Sequence, residues 1–394
     1  TINIMNFITK MFDKMEPTFS EGGKLSALHS LYDGFKSFML IPNDTAKSGV
    51  HIHDVNDSKR TMIMVVIALV PCMLFGMWNE GFQHFQAIGV EAGFWMQFWF
   101  GFLAVLPILL VSYIVGLGIE FTVAQWKKEE IQEGFLVTGF IIPLIVPIDT
   151  PLWMIAVATA FAVIFAKEVF GGTGYNIFNV ALITRAFLFF SYPSQMSGDK
   201  VWVRTGSAFG WQGGEAIDGF SGATPLGQVA TAGSTDISFF DAFMGFIPGS
   251  VGETSTLCIL IGAAILLCTG VASWKTMISV FIGGALTALA LNLWGPADNA
   301  AAQLPWYMHL VLGGFAFGAV FMATDPVTSP RTEKGKWIYG LLIGFMAIII
   351  RAFNPGYAEG MMLAILLMNI FGCLIDWCVV NSNIKRRMKG ANIK

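Results

Sequence analysis

Residues 94–121 read FWMQFWFGFLAVLPILLVSYIVGLGIEF, a run whose only charged side chain is Glu120. A membrane-spanning helix needs about 20 predominantly apolar residues, so this run is long enough to cross a bilayer. The whole chain of 394 residues is 55% hydrophobic and only 12% charged, about half of the charged fraction usual in soluble domains. Its mean hydropathy is +0.65. These values predict an integral membrane protein and exclude a soluble enzyme or a secreted mini-domain.

Nine other apolar stretches accompany this run. The ten predicted spans are Thr61–Trp78, Phe94–Phe121, Gly134–Ile148, Pro151–Ala166, Ile177–Tyr192, Thr256–Ser273, Lys275–Trp294, Met308–Thr324, Trp337–Phe353 and Met361–Val380. Three of them are interrupted: the third by two prolines, the fifth by Arg185, and the eighth by Asp325-Pro326 at its end. We therefore expect an all-α polytopic membrane protein with about ten transmembrane helices, some of them broken half-helices.

The distribution of Lys and Arg predicts the orientation, because these residues stay preferentially on the cytoplasmic side. With ten spans and both chain ends cytoplasmic, 19 of the 23 basic residues fall inside. Only Lys200, Arg204 and Arg351 fall outside, and Arg185 lies within a span. The first sixty residues contain no apolar segment typical of a signal peptide. The sequence therefore predicts cytoplasmic N- and C-termini and a long loop on the opposite side.

The two halves of the chain resemble each other. In Trp153–Phe190 and in Trp337–Phe371, a Trp opens an apolar stretch that is followed by a basic residue, a Phe, a Gly-Tyr turn and another apolar stretch. Five helices per half would give the halves opposite orientations, as in transporters built from inverted repeats; a shared apolar composition is the alternative explanation. The predicted division is a cytoplasmic arm at 1–60, a first five-helix repeat at 61–192, an external loop at 193–253, a second five-helix repeat at 254–380 and a basic tail at 381–394.

Several classes of site are disfavoured. A net charge of −3 provides no basic field for nucleic acid, and the five Cys residues lack the spacing of a zinc site. Haem ligation is a poor fit, because only His309 lies near a predicted span, while His84 and the others fall in loops. The His51–Asp54 segment is interpreted as juxtamembrane polar chain rather than a metal site, and no metal site is predicted. Leu25–Leu40 is either an amphipathic surface helix or an ordinary solvated arm.

Ionisable residues within spans are costly, so each normally has a partner or a function. Glu120 and Asp376 lie toward the cytoplasmic ends of their spans, where hard oxygen ligands would suit a cation; extension of the side chain to the membrane surface is the alternative. Arg185 and Asp325 lie in corresponding interrupted regions and could pair with each other; for Arg185, a structural ion pair or a helix-end contact is the favoured interpretation.

A Gly-rich connection, Gly171–Asn176, joins two predicted spans on the inner side. Free N–H groups at a helix start attract carbonyl oxygens or anions. Asn176 and Asn179 supply amide donors and acceptors of the kind that the edge of a flavin or quinone ring requires. No strand precedes the connection, so it is not a dinucleotide-binding fingerprint. A tight turn between helices is the simpler interpretation.

The external loop contains Ser221-Gly222-Ala223-Thr224 followed by Pro225. Small neighbours leave the Thr224 hydroxyl accessible, and Pro225 favours an extended backbone before it. Ser-Gly-Ala-Thr resembles the motif at which a flavin transferase esterifies FMN onto threonine. The surrounding chain resembles the B subunits of the sodium-translocating NADH:quinone oxidoreductases (Na+-NQR). The segments that carry the resemblance are Lys167–Gly174, Arg185–Phe190, Pro248–Ser250, Phe321–Pro326, Glu359–Leu366 and Asn383–Arg387.

The resemblance implies a redox subunit with FMN bonded covalently to Thr224 through its phosphate, and with a second, non-covalent riboflavin among the helices. The riboflavin candidates that it implies are Gly172, Thr173, Asn176 and Asn179. It further implies quinone-site candidates Gly116, Leu117 and Glu120, and cation-path candidates Glu120, Asp325 and Asp376. This sequence reads Gly116-Leu117-Gly118 where the family is expected to have a Gly-Gly pair.

The implied activity is electron transfer through flavins toward ubiquinone, coupled to Na+ export across the bacterial inner membrane, with Thr224 on the periplasmic side. The implied partners are the A, C, D, E and F subunits of the complex and an FAD-dependent flavin transferase; no nucleic acid is expected. NADH would bind elsewhere in the complex. The related RNF electron-transfer complex contains a similar subunit, RnfD, and is the alternative assignment. A channel or secondary transporter for a small solute, without flavin, is the alternative from another functional class.

Overall fold

The computed structural model describes residues 58–127, 134–235, 237–354 and 356–390, together with scattered positions between 14 and 49. Within that part of the chain every secondary-structure element is a helix. The one β-type pairing there is an isolated bridge between Ala208 and Trp211. Most of Leu25–Leu40 and the whole of His51–Asp54 lie outside the described residues. The all-α polytopic class predicted from the sequence is confirmed.

Ten helical regions correspond to the ten predicted apolar stretches. In the first half they are α1 (Ser58–Ala87), α2 (Phe94–Lys127), α3 (Phe135–Ile145), α4 (Leu152–Phe161, continued by a π-helix at Ala162–Lys167 and a 3₁₀ turn at Glu168–Phe170) and α5 (Val180–Ser191). Residues 193–253, called the external segment after their predicted location, carry a 3₁₀ turn at Pro193–Gln195 and two short helices, α6 (Pro225–Ala232) and α7 (Phe239–Met244). The second half contains α8 (Thr256–Cys268), α9 (Trp274–Trp294), α10 (Ala300–Gln303), α11 (Trp306–Val311), α12 (Phe315–Phe317, continued by a π-helix at Gly318–Met322), α13 (Glu333–Phe353) and α14 (Met361–Gly390).

The helices differ in length. Six are long and apolar enough to cross a membrane, namely α1, α2, α4 with its extension, α9, α13 and α14. Three shorter apolar helices, α3, α5 and α8, accompany them. The described chain is therefore a multi-pass membrane protein that combines full spans with helices too short to cross on their own.

Helix α1 extends nine residues beyond the predicted end at Trp78, so Glu80 and His84 are helical. The prediction that His84 lies in a loop was wrong. The reason is tertiary: residues 204–212 of the external segment cover the polar end of the helix. The two ring nitrogens of His84 lie 2.6 Å from the carbonyl oxygen of Arg204 and 2.8 Å from that of Gln212. This contact fixes the external segment on α1.

The predicted span Met308–Thr324 is two helices, α11 and α12, rather than one. Gly313 and Gly314 separate them with φ values of +62° and +68°, a left-handed conformation that ends an α-helix and that glycine adopts without strain. A Cβ atom added to Gly314 would lie 2.7 Å from the carboxyl carbon of Glu253. The sequence predicted the interruption at Asp325-Pro326, but it falls at the glycine pair, eleven residues earlier at Gly314.

Short helices leave carbonyl groups without intrahelical partners, and in an apolar environment other protein groups must bond to them. At the end of α3, the N–H of Gly252 donates to the carbonyl of Leu144 at 2.8 Å and Ser250 Oγ donates to that of Ile145 at 3.3 Å. At the end of α11, the Arg351 guanidinium donates to the carbonyl of His309 at 2.8 Å. Both interruptions are thus stabilised from distant parts of the sequence.

Ion pairs and hydrogen bonds show which helix ends meet. Lys127, at the end of α2, lies 3.4 Å from the carboxylate of Glu168, and Lys275 pairs with Glu333 at the start of α13. At other helix ends, Arg204 lies 3.7 Å from Asp149 in the α3–α4 connection. These contacts agree with helices that alternate in direction along the chain. The cytoplasmic location of either side and the inverted-repeat relation stay predictions.

Glycines allow α9 and α13 to pack closely. A Cβ atom added to Gly344 would overlap the carbonyl oxygen of Val280, and one added to Gly283 would overlap that of Leu341. Small residues that bring helix backbones together are a common means of association in membranes, where lipid tails are as apolar as the helices. This interface ties the second half of the bundle together.

Substituting Gly344 with Ala should destabilise the protein, because the backbone of α9 must move to admit the methyl group. We expect a loss of about 1–3 kcal/mol in the free energy of unfolding, the usual effect of overpacking. The measurement is the thermal unfolding midpoint of the detergent-purified protein. Gly118→Ala is the matched control, since no atom lies within 4 Å of an added Cβ there. Equal midpoints for the two variants would contradict the packing interpretation.

Candidate functional site

A cavity lies where the ends of several helices meet. The space within it that water-sized molecules can occupy is about 100 Å³, and the empty space is about 860 Å³ when the gaps between lining atoms and the open mouth are counted. The lining comes from both halves of the chain and comprises Thr61, Met62, Val65, Gly134, Val137, Thr138, Ile141, Lys167, Thr173, Asn176, Asn179, Val180, Leu266, Val271, Ala272, Phe321, Thr324, Asp325, Pro326 and Val327. Three of the four predicted riboflavin candidates and one predicted cation-path candidate are therefore brought together.

Asn179 links the two halves at this cavity. It is the N-cap of α5, where its Oδ1 accepts a hydrogen bond from the N–H of Leu182 at 3.2 Å. Its Nδ2 donates to Oδ2 of Asp325, 146 positions further along, at 3.2 Å. The other oxygen of Asp325 accepts from the N–H of Val327 at 3.0 Å. One residue thus starts a helix and positions a half-buried carboxylate.

The Gly-rich connection contributes polar atoms that protein groups do not satisfy. The hydroxyl oxygen of Thr173 is buried and has no hydrogen-bond partner among the described residues. Gly172 has a φ of +92° in the turn beside it but does not line the cavity, whereas Thr173 and Asn176 do. Asn176 donates through Nδ2 to the carbonyl of Phe178 at 2.9 Å, which leaves its Oδ1 as an acceptor. A ligand with a polar edge could bond to these atoms.

Glu120 lies behind the cavity, paired with Lys167. Both side chains are about 5% exposed, and Lys167 Nζ donates to Glu120 Oε1. Glu120 Oε2 is buried without a partner among the described residues. Glu120 therefore does not extend to a membrane surface. Gly116, one turn earlier on α2, lies so close to the Phe135 ring that a Cβ would overlap it, while Leu117 is partly buried.

Arg185 does not pair with Asp325, but the favoured interpretation of a structural ion pair for Arg185 is confirmed. Its guanidinium bonds to Glu253 at 2.8 Å and to Glu359. Asp325 contacts the cap of α5 at Asn179, and Arg185 lies six residues further, about 9 Å along the helix at 1.5 Å per residue. Two carboxylates therefore share one buried guanidinium, and burial raises the pKa of Glu253 while Arg185 opposes that rise.

Asp376 takes a helix-end role. Its carboxylate accepts hydrogen bonds from the N–H of Arg331 at 2.7 Å and of Thr332 at 3.0 Å, and from the Thr332 hydroxyl at 2.5 Å. Negative charge at the start of a helix is favourable, and Thr332 is the N-cap of α13. Asp376 does not line the cavity. Its part in a cation path stays a prediction.

Thr224 occupies a separate site in the external segment. It is the N-cap of α6, and its Oγ1 accepts a hydrogen bond from the N–H of Gly227 at 3.2 Å. The side chain is partly exposed, next to exposed Ser221 and buried Ala223. Gly222 packs so closely on the chain that a Cβ would lie 2.6 Å from the carbonyl oxygen of Asp199. The motif therefore presents one hydroxyl at the N-terminus of a short helix.

Comparison with known proteins gives one consistent result. The family described as "NQR2, RnfD, RnfE family" matches residues 45–385. The chain belongs to this family. The B subunit of the Na(+)-translocating NADH-quinone reductase of Chromohalobacter salexigens is 46% identical, over 97% of this chain and 96% of that protein. The B subunits of the same reductase from Klebsiella pneumoniae and Pseudomonas aeruginosa are 45% and 42% identical over 96% and 97% of this chain, and over 98% of each relative.

The range matched to the NQR2, RnfD, RnfE family contains the cavity, the Glu120–Lys167 pair and Thr224. The sequence pattern did not identify Lys167, Glu253 or Glu359 as members of buried ion pairs. Lys167 stood out as the basic residue of the internal repeat and as the start of a segment that carries the family resemblance, and the two glutamates lay outside the predicted spans. Only the pairing partners, which are 47 to 174 positions away, show that these charges are buried and matched.

Replacing Arg185 with Gln should destabilise this family member strongly, because two buried carboxylates would lose their shared cation. Breaking a buried ion pair from one side typically costs about 3–5 kcal/mol. The measurement is the thermal unfolding midpoint in detergent.

Arg204→Gln serves as the matched control for Arg185→Gln. Arg204 is 28% exposed and pairs with Asp149 at 3.7 Å, a contact worth about 0–1 kcal/mol. Addition of Glu253→Gln to Arg185→Gln should recover part of the lost stability. A double variant no more stable than the single one would contradict the electrostatic explanation.

Proposed function

We propose that this chain is the membrane-embedded redox B subunit of a Na+-translocating NADH-quinone reductase of the bacterial inner membrane. It passes electrons through a covalent FMN on Thr224 and a riboflavin in the cavity toward ubiquinone, coupled to Na+ export. The partners are the other five subunits of that complex, and an FAD-dependent flavin transferase acts during maturation. The N- and C-termini are cytoplasmic and Thr224 is periplasmic.

The observation that carries the proposal is the full-length likeness to the B subunits of these reductases. Relatives of that name are 42–46% identical over 96–97% of the chain. The family description also covers RnfD, the alternative assignment. Coverage of 96–98% of the Na+-translocating relatives favours Na+-NQR.

Thr224 fits a phosphoester-linked flavin. Its hydroxyl is partly exposed and is held at the N-terminus of α6, whose N–H groups carry partial positive charge that favours an anionic phosphate. A Cβ atom at Gly227 would lie 3.2 Å from Thr224 Oγ1, so the glycine keeps space beside that oxygen. Esterification leaves about one negative charge on the phosphate instead of the roughly −1.5 to −2 of a monoester.

Helix α6 also contacts the interrupted second-half segment. Leu226, two residues after Thr224, is buried with Met308, Val311 and Leu312, and it lies against Gly313. The hydroxyl that would carry the FMN is therefore anchored to the α11–α12 interruption and not to a freely moving loop. A fixed anchor limits how far a tethered cofactor can move, and the protein's contribution to cofactor chemistry is this positioning.

The cavity fits a neutral, planar ligand with a polar edge. Most of its lining is apolar, and the unpartnered Thr173 hydroxyl, Asn176 and Asn179 provide hydrogen-bonding groups. A bound riboflavin would supply one-electron transfer chemistry. Thr173 and the two asparagines would hold its polar edge, and the helices around them would exclude water. Lys167 and Asp325 bring one charge of each sign to the same lining.

The quinone and cation sites remain our hypotheses. Gly116, Leu117 and Glu120 lie on α2, and the close approach of Gly116 to Phe135 restricts the shape available there to a quinone ring. Asp325 lines the cavity and Glu120 bonds to its lining residue Lys167, whereas Asp376 lies apart at the start of α13. Because Glu120 Oε1 is already bonded to Lys167, a cation would have to bind through the unpartnered Oε2 or displace the ammonium.

A small-solute transporter is the alternative from another class, because interrupted helices that meet in a cavity also occur in transporters. The presence or absence of a covalent flavin distinguishes the redox subunit from the transporter. In purified protein from a host that contains the transferase, Thr224→Ala should abolish flavin fluorescence after denaturing electrophoresis, since no other oxygen of the motif occupies that cap position. Mass spectrometry of the peptide around residue 224 should show the added mass of FMN in the unmodified sequence only.

Thr231→Ala is the matched control for Thr224→Ala. Thr231 lies on the same short helix and donates to the carbonyl of Gly227 at 2.9 Å, but it is not the cap. The Thr231→Ala variant should keep the full flavin fluorescence. A Thr224 peptide without added mass, in protein from transferase-competent membranes, would refute the electron-carrier proposal and favour the transporter.

Asn179→Ala should lower the content of non-covalent flavin, because it removes a cap and an amide that lines the cavity. Chromatography of flavin released by denaturation measures this content. Asn299→Ala is the matched control: Asn299 also caps a helix, by accepting from Ala302 at 3.1 Å, but it lies away from the cavity. Both changes remove a cap worth about 1 kcal/mol. Equal flavin contents in the two variants would contradict the assignment of the cavity.

A further inference from the structure

Lys167 lies between two sites. It ends the π-helix Ala162–Lys167 of α4 and lines the cavity together with Thr173, Asn176 and Asn179. At the same time its ammonium donates to Glu120 on α2. Its side chain is about 5% exposed, so water does little to stabilise the positive charge. The Glu120 carboxylate and a ligand in the cavity are the groups placed to balance that charge.

The pairing leaves hydrogen-bonding capacity on both sides. An ammonium has three N–H donors, and among the described residues Glu120 Oε1 is the acceptor bonded to Lys167. Glu120 Oε2 is buried and has no partner in the described part of the chain. Buried charged groups are normally matched fully by hydrogen bonds. The unused N–H donors of Lys167 indicate that a further acceptor belongs beside it.

The local helix geometry presents Lys167 inward. Buried positions 162, 163, 166 and 167 recur four apart, while 164 and 165 are exposed. Short π-helical segments are rare and occur frequently at functional sites. The second π-helix, Gly318–Met322, contributes Phe321 to the same cavity. Both π-helices in the described chain therefore supply residues to one cavity.

We propose that Lys167 is a positioning residue whose ammonium is shared between Glu120 and an electron-accepting, polar-edged ligand of the cavity, where it stabilises added negative charge. This inference rests on the proposed function, in which that ligand is the non-covalent flavin. Glu120 acts in the opposite sense, because its carboxylate neutralises part of the Lys167 charge. The pair thus sets how readily the cavity ligand is reduced.

The charges of Lys167 and Glu120 determine the direction in which each variant shifts the midpoint potential of the cavity ligand. Glu120→Gln leaves the Lys167 charge uncompensated, so the reduced ligand is favoured and its midpoint potential rises. Lys167→Met/Glu120→Gln removes the positive charge as well, so the midpoint falls below that of the unmodified protein. The two variants share Gln at position 120 and differ only at position 167. The single change Lys167→Met is avoided, because it would leave a buried, unpaired carboxylate.

The experiment uses the purified complete complex. Spectroelectrochemical titration measures the midpoint potential of the non-covalent flavin, and chromatography after denaturation measures its content. We expect opposite shifts in the two variants, each equivalent to about a tenfold change in the ratio of affinities for the reduced and oxidised forms, as for a unit charge several ångströms away in a protein interior. Lys167→Arg, which keeps the charge, should remain near the unmodified value.

Lys275→Met/Glu333→Gln is the matched control, because Lys275 and Glu333 form a second interhelical Lys–Glu pair, which does not line the cavity. It should leave the midpoint unchanged. Loss of flavin from Lys167→Met/Glu120→Gln while Glu120→Gln retains it would also support direct contact. Identical midpoints, or identical flavin losses, in these two variants would overturn the proposal. An unmodified complex without non-covalent flavin would instead refute the proposed function itself.

Discussion

The structure depends on how helices that stop within an apolar layer satisfy their last carbonyl groups. No water reaches such groups in a bilayer core, and each unsatisfied one costs several kcal/mol. The ends of α3 and α11 are matched by Gly252, Ser250 and Arg351, which lie on other elements. These contacts hold the external segment and the second half against the interruptions. The cavity lies toward the opposite end of α3, where Gly134 and Val137 line it.

The buried charges follow the same constraint. Arg185 joins Glu253 and Glu359, and Lys167 joins Glu120, so each ion pair ties together elements that are far apart in the sequence. Such pairs contribute little net stability over apolar packing, but removing one partner is costly. They therefore fix the mutual arrangement of the helices around the cavity more than they strengthen the fold.

The two candidate cofactor sites lie on different parts of this framework. Thr224 is attached to the α11–α12 interruption through Leu226, and the cavity opens between Asn179, Asp325 and Lys167 at the other ends of the helices. Topology predicted from Lys and Arg places these sites toward opposite faces of the membrane. Under the proposed function, electrons would cross the protein between these two sites within one subunit.

The fold class could be predicted from the sequence, because membrane insertion depends on local properties. The length of an apolar run must match the thickness of the bilayer, and Lys and Arg stay preferentially on the cytoplasmic side. Short motifs also identified Thr224, Asn176 and Asn179 as candidates. The folded chain was needed to show that Arg185 pairs with Glu253 and Glu359, that His84 is helical, and that Lys167 faces both Glu120 and the cavity. Those outcomes depend on which residues from distant parts of the sequence come into contact. The side-chain pattern of a single segment does not show which residues those are.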